Sequence, residues 1–447
     1  MNLKMCSVSP HGDTGMAYYD YTFCQALSEA GLQVTLFTSR PWPLENMDVC
    51  TTNRKILDNK RPILPLTSAK KLLNDGKVRD YPSFFKIILR KAGMTASSPI
   101  GKEKVNNKNN FVIKKYFLGV YETAERSARL TNYLWGLWKI FSYAFKEKIR
   151  IIHFQAFAFP AIDLIFVGWL KIWRIKVVYS PHDINALKVK AGSELIGDLF
   201  DLVDVIVVHS VANKVLLIKE FDIEHDRIKI IQQGNYSAFL NPELTKVQAR
   251  EKLGLPQDKK IILLFGHLRK DKGITTGVKA LKLLKDKKSL LLIAGKPHPQ
   301  FDADSLRREI GMPELKERVV LRDQWIEDSL VEYYYKSADV VVLPYDASYT
   351  SAVLIYAFSC GVPAIISNIS ELTEFVIEGE NALIFPAGES AVLAEKIEQL
   401  LRNPALAQKL AVSAKNVADN EWKWETTAQA QKKIYEELFS MYFPRSG

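Results

Sequence analysis

Short β-branched runs recur along most of the chain, separated by segments with apolar residues at helical spacing, and this rhythm limits the fold more than any other feature. The runs lie at 33–38, 150–153, 176–179, 204–208, 228–231, 260–265, 289–294, 319–321, 339–343 and 363–366. Apolar runs of this length without polar alternation read as strands buried on both faces. The intervening segments 17–30, 211–220, 276–285 and 330–336 repeat apolar side chains every three or four positions, as helices do. Strands alternating with helices imply parallel sheets covered on both faces, a doubly wound α/β architecture. A chain of 447 residues exceeds one ordinary core, so two domains are expected. Segment 243–257, a charged helix-like stretch between prolines, interrupts the rhythm and reads as the linker. The expected boundaries are 1–240 for the N-terminal domain and 241–420 for the C-terminal one. The tail 421–447, with aromatics at helical spacing, is expected to pack back onto the first domain.

Composition excludes several classes. With 47% apolar and 25% charged residues the chain reads as globular rather than disordered. Its most apolar stretch, 156–173, is broken by Pro160, Asp163 and Lys171, so it reads as a buried helix rather than a membrane span. Cys6, Cys24, Cys50 and Cys360 form no CxxC pair, which favours a reducing cytoplasm and argues against zinc. The first ten residues hold no apolar run long enough for a secretory signal, consistent with a cytoplasmic protein. No Gly-x-Ser-x-Gly elbow, Walker loop or dinucleotide fingerprint occurs, which argues against hydrolase, ATPase and dehydrogenase readings.

In open α/β sheets ligands bind beyond the carboxyl ends of strands, where helix N-termini attract phosphate. IILLFGHLRKDKG at 261–273 has that form: a strand, Gly266 at a close turn, then Arg269 and Lys272 before a helix. A planar fork and a point cation together suit a diphosphate leaving group. LIAGKP at 292–297 ends a second strand with Gly295 and Lys296. A third strand ends near Leu343, followed by a loop with Ser348, Thr350 and Ser351 and a helix that Gly361 and Pro363 close. The hydroxyls in that loop either cap the helix or leave main-chain N–H groups for a phosphate. Asp302-Ala303-Asp304 has the DxD form of some metal sites, but it precedes a helical stretch and reads as a cap, so no metal is expected. Glu371 and Glu374, three apart on one helical segment, cannot flank a scissile bond from opposite sides as paired catalytic carboxylates do.

Taken in order, FGHLRKDKG, LLIAGKP, SADVVVLPY, AFSCGVPAI and ELTEFVIEGENALIFPAGE resemble glycosyltransferase family 4. In the first half GMAYYDYTFCQALSEAGLQVTLFT, VVYSPHD and IKIIQQGNYSAF extend the likeness, and only 47–148 lies largely outside it. The resemblance implies the GT-B fold, two facing Rossmann-like domains, and transfer from a nucleotide diphosphate sugar with retained configuration and without a further cofactor. It implies that Arg269 and Lys272 neutralise the donor diphosphate as it leaves. It places His182 near the donor sugar, Gly15 in the first strand-to-helix loop, where the main chain approaches a substrate, and Glu374 after the donor loop in a structural or donor-contact role. Family members commonly carry two glutamates separated by seven residues; this chain has Ser348 and Tyr356 at those places. Thr350-Ser351-Ala352 looks like a variant of a loop in which hydroxyls and main-chain amides take over those contacts.

The net charge of +11 is concentrated: from Phe85 to Arg150 there are fourteen Lys or Arg against four Glu and no Asp, interleaved with aromatics. Basic residues and amphipathic rings on one surface suit an anionic membrane interface. The alternative is a core helix over 134–145 with solvated lysines. Membrane headgroups are favoured here over nucleic acid, although basic aromatic surfaces also bind single strands. The sequence thus predicts a peripheral membrane, metal-independent hexosyltransferase acting on a glycan or lipid-linked acceptor. A catalytically silent subunit that binds a partner enzyme or anionic polymer is the alternative.

Overall fold

The computed structural model describes residues 3–10, 14–40, 111–118, 126–182, 184, 193–347 and 352–441. The chain forms two compact units, one of Met1–Val208, Ile218–Lys229 and Ala428–Gly447, the other of His209–Leu217 and Ile230–Thr427.

The first unit is built on a seven-stranded sheet. Its strands are β1 (Lys4–Ser9), β2 (Gln33–Arg40), β3 (Val112–Leu118), β4 (Ile151–Phe154), β5 (Lys176–Tyr179), β6 (Val205–Val208) and β7 (Ile228–Ile230), in the order β3-β2-β1-β4-β5-β6-β7. All pairings from β3 through β6 are parallel. Helices α1 (Thr14–Glu29), α2 (Arg126–Lys146), α3 (Pro160–Ile172) and α4 (Ser193–Leu202) connect them, while α5 (Val211–Phe221) begins in the second unit and ends in the first. Pro160 opens α3, where its missing N–H and fixed φ cost nothing. The segment read as a buried helix is therefore one, with Phe166, Val167, Trp169 and Leu170 in the core.

The second unit carries a six-stranded sheet of β8 (Ile261–Phe265), β9 (Leu290–Ala294), β10 (Val319–Arg322), β11 (Val340–Leu343), β12 (Ala364–Ser367) and β13 (Leu383–Phe385), in the order β10-β9-β8-β11-β12-β13. Every pairing is parallel. Its helices are α6 (Lys246–Leu253), α7 (Ile274–Leu283), α8 (Ala303–Ile310), α9 (Asp328–Ser337), α10 (Ala352–Ser359), α11 (Ser370–Thr373), α12 (Ser390–Arg402) and α13 (Pro404–Asn420). The charged segment that interrupts the strand rhythm is α6, opened by a Thr245–Gln248 capping box and closed by Gly254 in the left-handed region. The last helix, α14 (Trp424–Ser440), begins in the second unit and continues in the first.

In both sheets the strand order reverses beside the first strand, at β1/β4 and at β8/β11. Each reversal separates the connections running to either side and leaves a crevice at the carboxyl edge where such sheets bind ligands. Among the described residues no helix is long and apolar enough to cross a membrane.

Candidate functional site

The carboxyl edge of the second sheet is organised by main chain. Gly266, at φ +111, follows β8 and donates its N–H to Ala294 O at 3.0 Å. Leu268 N then donates to Lys296 O and His298 N to Leu268 O, so the loops after β8 and β9 run together. Gly295 has φ +149, and a Cβ there would stand 1.9 Å from Gly266 O, so this approach requires glycine. On the other side Asp346 N donates to Asp271 O at 3.0 Å, joining the loop after β11 to the turn Lys270–Lys272. A Cβ on Gly273, at φ +61, would stand 1.6 Å from Pro344 O. Three strand-end loops are thereby locked around the β8/β11 reversal.

Arg269 and Lys272 both belong to this cluster. The Arg269 guanidinium donates from Nε and Nη2 to the two carboxylate oxygens of Asp271, at 3.0 and 2.7 Å, a bidentate pair that is partly exposed on both sides. Lys272 Nζ lies 3.7 Å from the centroid of the buried Tyr345 ring, a cation–π contact. Tyr345 is anchored in turn by Ser367 Oγ, which donates to its carbonyl at 2.6 Å. Lys296 is exposed beside Gly295. Burial, followed by repulsion from Asp271, raises the Asp346 carboxyl above the ordinary range. Burial lowers the His267 imidazole, with the charges of Arg269, His298 and Lys296 acting in the same direction. The three loops carry Arg269, Lys270, Lys272 and Lys296 against Asp271 and Asp346, a formal positive excess suited to an anion.

The remaining residues singled out in the sequence are distributed as follows. Tyr356 lies on α10 within a tyrosine cluster, its ring 4.6 Å from Tyr335 and 5.1 Å from Tyr236. The Glu374 carboxylate accepts from Val211 N at 2.8 and 2.9 Å and from Ala212 N at 3.3 Å, occupying the N-terminus of α5. Ser348, Thr350 and Ser351 lie outside the described residues. Asp302 caps α8 by accepting from Ser305 N at 2.9 Å, and Asp304 pairs with Arg307.

In the first unit, Gly15 stands in the first turn of α1. His182 follows β5, its Nε2 3.1 Å from Gln155 Oε1 and its ring edge-on to Tyr19 at 4.7 Å. In the basic aromatic segment, residues 85–110 and 119–125 lie outside the described residues. What is described there is β3, where Lys114 Nζ lies 4.9 Å from the Tyr143 ring, and α2, where Lys139 Nζ lies 4.8 Å from Trp135. Tyr133, Leu137, Ile140 and Ala144 form the buried face of α2. One face of this helix is core, while its end presents Phe145 to solvent at 60% exposure. Phe145 packs against Trp173, 40% exposed, and Ile172 at the end of α3 is 67% exposed.

Sequence reasoning did not anticipate Asp271, Tyr345, Gly273 or Gln155. Gly273 carried a signal, since a glycine between basic residues and a helix start marks a special backbone position. Tyr345 and Gln155 show their role only through contacts across the fold, and Asp271 through its pair with Arg269 two residues away.

Residues 246–417 match the family described as glycosyl transferases group 1. The D-inositol 3-phosphate glycosyltransferase of Corynebacterium efficiens is 25% identical over 295 residues, 61% of this chain and 68% of that protein. Its counterpart from Corynebacterium aurimucosum is 23% identical over 376 residues, 78% of this chain and 86% of that protein. Among solved structures, sucrose-phosphate synthase from Thermosynechococcus elongatus has a TM-score of 0.67 at 20% identity, covering 98% of this chain and 100% of that one. Anabaena HepE in complex with UDP-glucose has a TM-score of 0.64 at 16% identity, also covering 98% and 100%.

Proposed function

We infer, from a chain with the GT-B fold whose residues 246–417 belong to glycosyl transferases group 1, that this protein is a retaining hexosyltransferase using a nucleotide diphosphate sugar. The observation that carries the reading is the loop cluster at the β8/β11 reversal. Its main chain is fixed by the Gly266–Gly295 and Gly273–Pro344 approaches, and Arg269 and Lys272 are two of its cations. A donor diphosphate competes with Asp271 for the Arg269 fork and takes the Lys272 cation as its second counter-charge. The bond from the anomeric carbon to the diphosphate oxygen breaks, and its electron pair leaves with the nucleotide diphosphate onto these two cations. The acceptor hydroxyl bonds to the anomeric carbon on the same face and gives its proton to a leaving phosphate oxygen. Two side-chain cations fill the role a metal has elsewhere, so turnover is expected to persist in chelator.

The acceptor in this reading is a glycan or lipid-linked sugar met at a membrane surface, in polysaccharide or glycolipid assembly. Supporting it, the ends of α2 and α3 expose Phe145, Ile172 and Trp173 among Lys146, Lys148, Arg150 and Arg174. Exposed rings within a basic collar suit anionic headgroups. Lys148 and Arg174 hold left-handed backbone at φ 56 and 55, positions where glycine is commoner.

The test begins with thermal stabilisation of the full chain by UDP-glucose, GDP-mannose and dTDP-glucose, since a ligand of the folded state raises the melting point by mass action. Turnover of the stabilising donor is then compared between wild type and Arg269→Ala. Loss of one such cation is expected to reduce kcat by roughly 10²- to 10³-fold with the circular dichroism unchanged. Wild-type turnover in Arg269→Ala would sink the assignment. A purified chain that binds a donor but neither hydrolyses nor transfers it would favour the silent subunit.

A further inference from the structure

Gln155 follows β4 directly, buried at the β1/β4 reversal of the first sheet, and its N–H donates to Val8 O at 2.8 Å. Its carboxamide lies between two neighbours: Nε2 donates toward Ser7 Oγ on β1 at 3.5 Å, and Oε1 lies 3.1 Å from His182 Nε2 beyond β5. Ser7, Gln155 and His182 thus come from the adjacent strands β1, β4 and β5 or the loops that follow them. A carboxamide oxygen only accepts, so the histidine nitrogen facing it carries the proton. We propose that Gln155 is a positioning residue that holds His182 as the neutral imidazole protonated on Nε2 and sets the direction of its ring at the carboxyl edge of β5.

The peptide around His182 is held independently of this contact. Ser180 N donates to Phe154 O at 2.9 Å, and Ser180 Oγ lies 2.8 Å from Nε2 of the buried His153. The other nitrogen of His153 lies 2.6 Å from the Tyr435 hydroxyl of α14, so the last helix braces the loop from behind. Tyr19 on α1 packs edge-on against the His182 ring. With the main chain held at Ser180 and Tyr19 packed against the ring, the contact with Gln155 acts on the tautomer and the in-plane direction of the imidazole. The tautomer assignment stands on geometry alone, whereas its role in transfer rests on the proposed function.

The experiment labels histidine with ¹⁵N in the full chain and identifies the His182 signals by their absence from His182→Ala. Wild type is expected to show the Nε2–H neutral tautomer at pH 7.5, and Gln155→Leu a mixture of both. The Nδ1–H tautomer in wild type, or an unchanged pattern in Gln155→Leu, overturns the proposal. With UDP-glucose as donor probe, Gln155→Leu is expected to lower kcat about tenfold, the scale of one lost hydrogen bond, at unchanged melting temperature. Gln155→Glu still accepts from Nε2–H but favours the imidazolium, so its acid limb should move up by at least about one pH unit, with activity recovering at higher pH. An unshifted limb in a variant that keeps the Nε2–H tautomer also counts against the proposal. If His182→Ala leaves UDP-glucose turnover unchanged, the catalytic reading of His182 fails while the tautomer result still decides the role of Gln155.

Discussion

At the carboxyl edge of the second sheet the loops after β8, β9 and β11 are joined main chain to main chain, with Gly266, Gly273 and Gly295 at positive φ. At the same edge of the first sheet the main-chain bonds from Gln155 N to Val8 O and from Ser180 N to Phe154 O are joined by a network of buried side chains, Ser7, His153, Gln155 and Ser180. Main-chain joints do not titrate and cannot rotate away, which suits loops that must hold Arg269 and Lys272 in fixed places. Side-chain networks are directional and depend on tautomer and protonation, which suits discrimination among hydroxyls but leaves the region sensitive to pH. The consequence is that the two edges fail differently: the second through added atoms, the first through changed protons.

The largest effect is therefore expected from one methyl group in the second unit. In Gly273→Ala the new Cβ meets Pro344 O at 1.6 Å in left-handed backbone, so the turn carrying Lys272 has to move. We expect more than a hundredfold loss of nucleotide affinity by calorimetry and destabilisation of about 3 kcal/mol or more, from clash and strain together. Gly254→Ala is the control, with φ +64 but nothing within 4 Å of the added carbon; it should lose only about 1 kcal/mol and keep its affinity. Equal behaviour of the two variants would remove the close approach as the reason for glycine.

The next effect belongs to the first unit and to protons. Asp163 on α3 is fully buried; it takes a hydrogen bond from the Tyr133 hydroxyl of α2 and another from Phe159 N at 2.9 Å. Burial pushes its carboxyl up to about 7, against the opposing effect of those hydrogen bonds. A carboxyl raised on folding binds its proton more tightly in the native state. Its stabilisation is thus full below the ordinary value near 3.8 and is lost as pH rises toward 7. The wild type should lose stability across that window by up to about 1.4 kcal/mol per pH unit relative to Asp163→Asn, read from denaturant midpoints. Parallel curves for the two proteins would show that this buried carboxylate does not titrate with folding.

The same contrast explains what was legible in the sequence. β8, β9 and β11 are runs of Val, Ile and Leu, and the glycines and cations after β8 and β9 announce themselves by type. β1 reads Lys-Met-Cys-Ser-Val-Ser, with one β-branched residue, and was not anticipated although it lies at the reversal of the first sheet. Its Ser7 and Ser9 are completely buried, and two serines in a short run look like loop until the neighbouring strands are known. β3 and the three-residue β13 were missed for related reasons, lysines in one and brevity in the other. Tyr345 and Gln155 act through partners that only the fold supplies, whereas Asp271 pairs with Arg269 two residues away.

The smallest effect tests whether a side chain at the second edge does more than hold a helix. Asp302 follows the β9 loop and has the spacing of a metal-binding pair with Asp304, yet its carboxylate accepts from Ser305 N as the cap of α8. Asp304 is turned to Arg307 on the exposed surface of the same helix. If capping is the whole role, Asp302→Ala loses about 1 kcal/mol in urea denaturation, and Asp304→Ala has no measurable effect. Neither should change donor affinity in magnesium or in chelator if, as proposed, Arg269 and Lys272 hold the diphosphate. A magnesium-dependent loss of donor affinity in either variant would mean that carboxylates share in holding the diphosphate, and the division between a main-chain edge and a side-chain edge would no longer hold for the second unit.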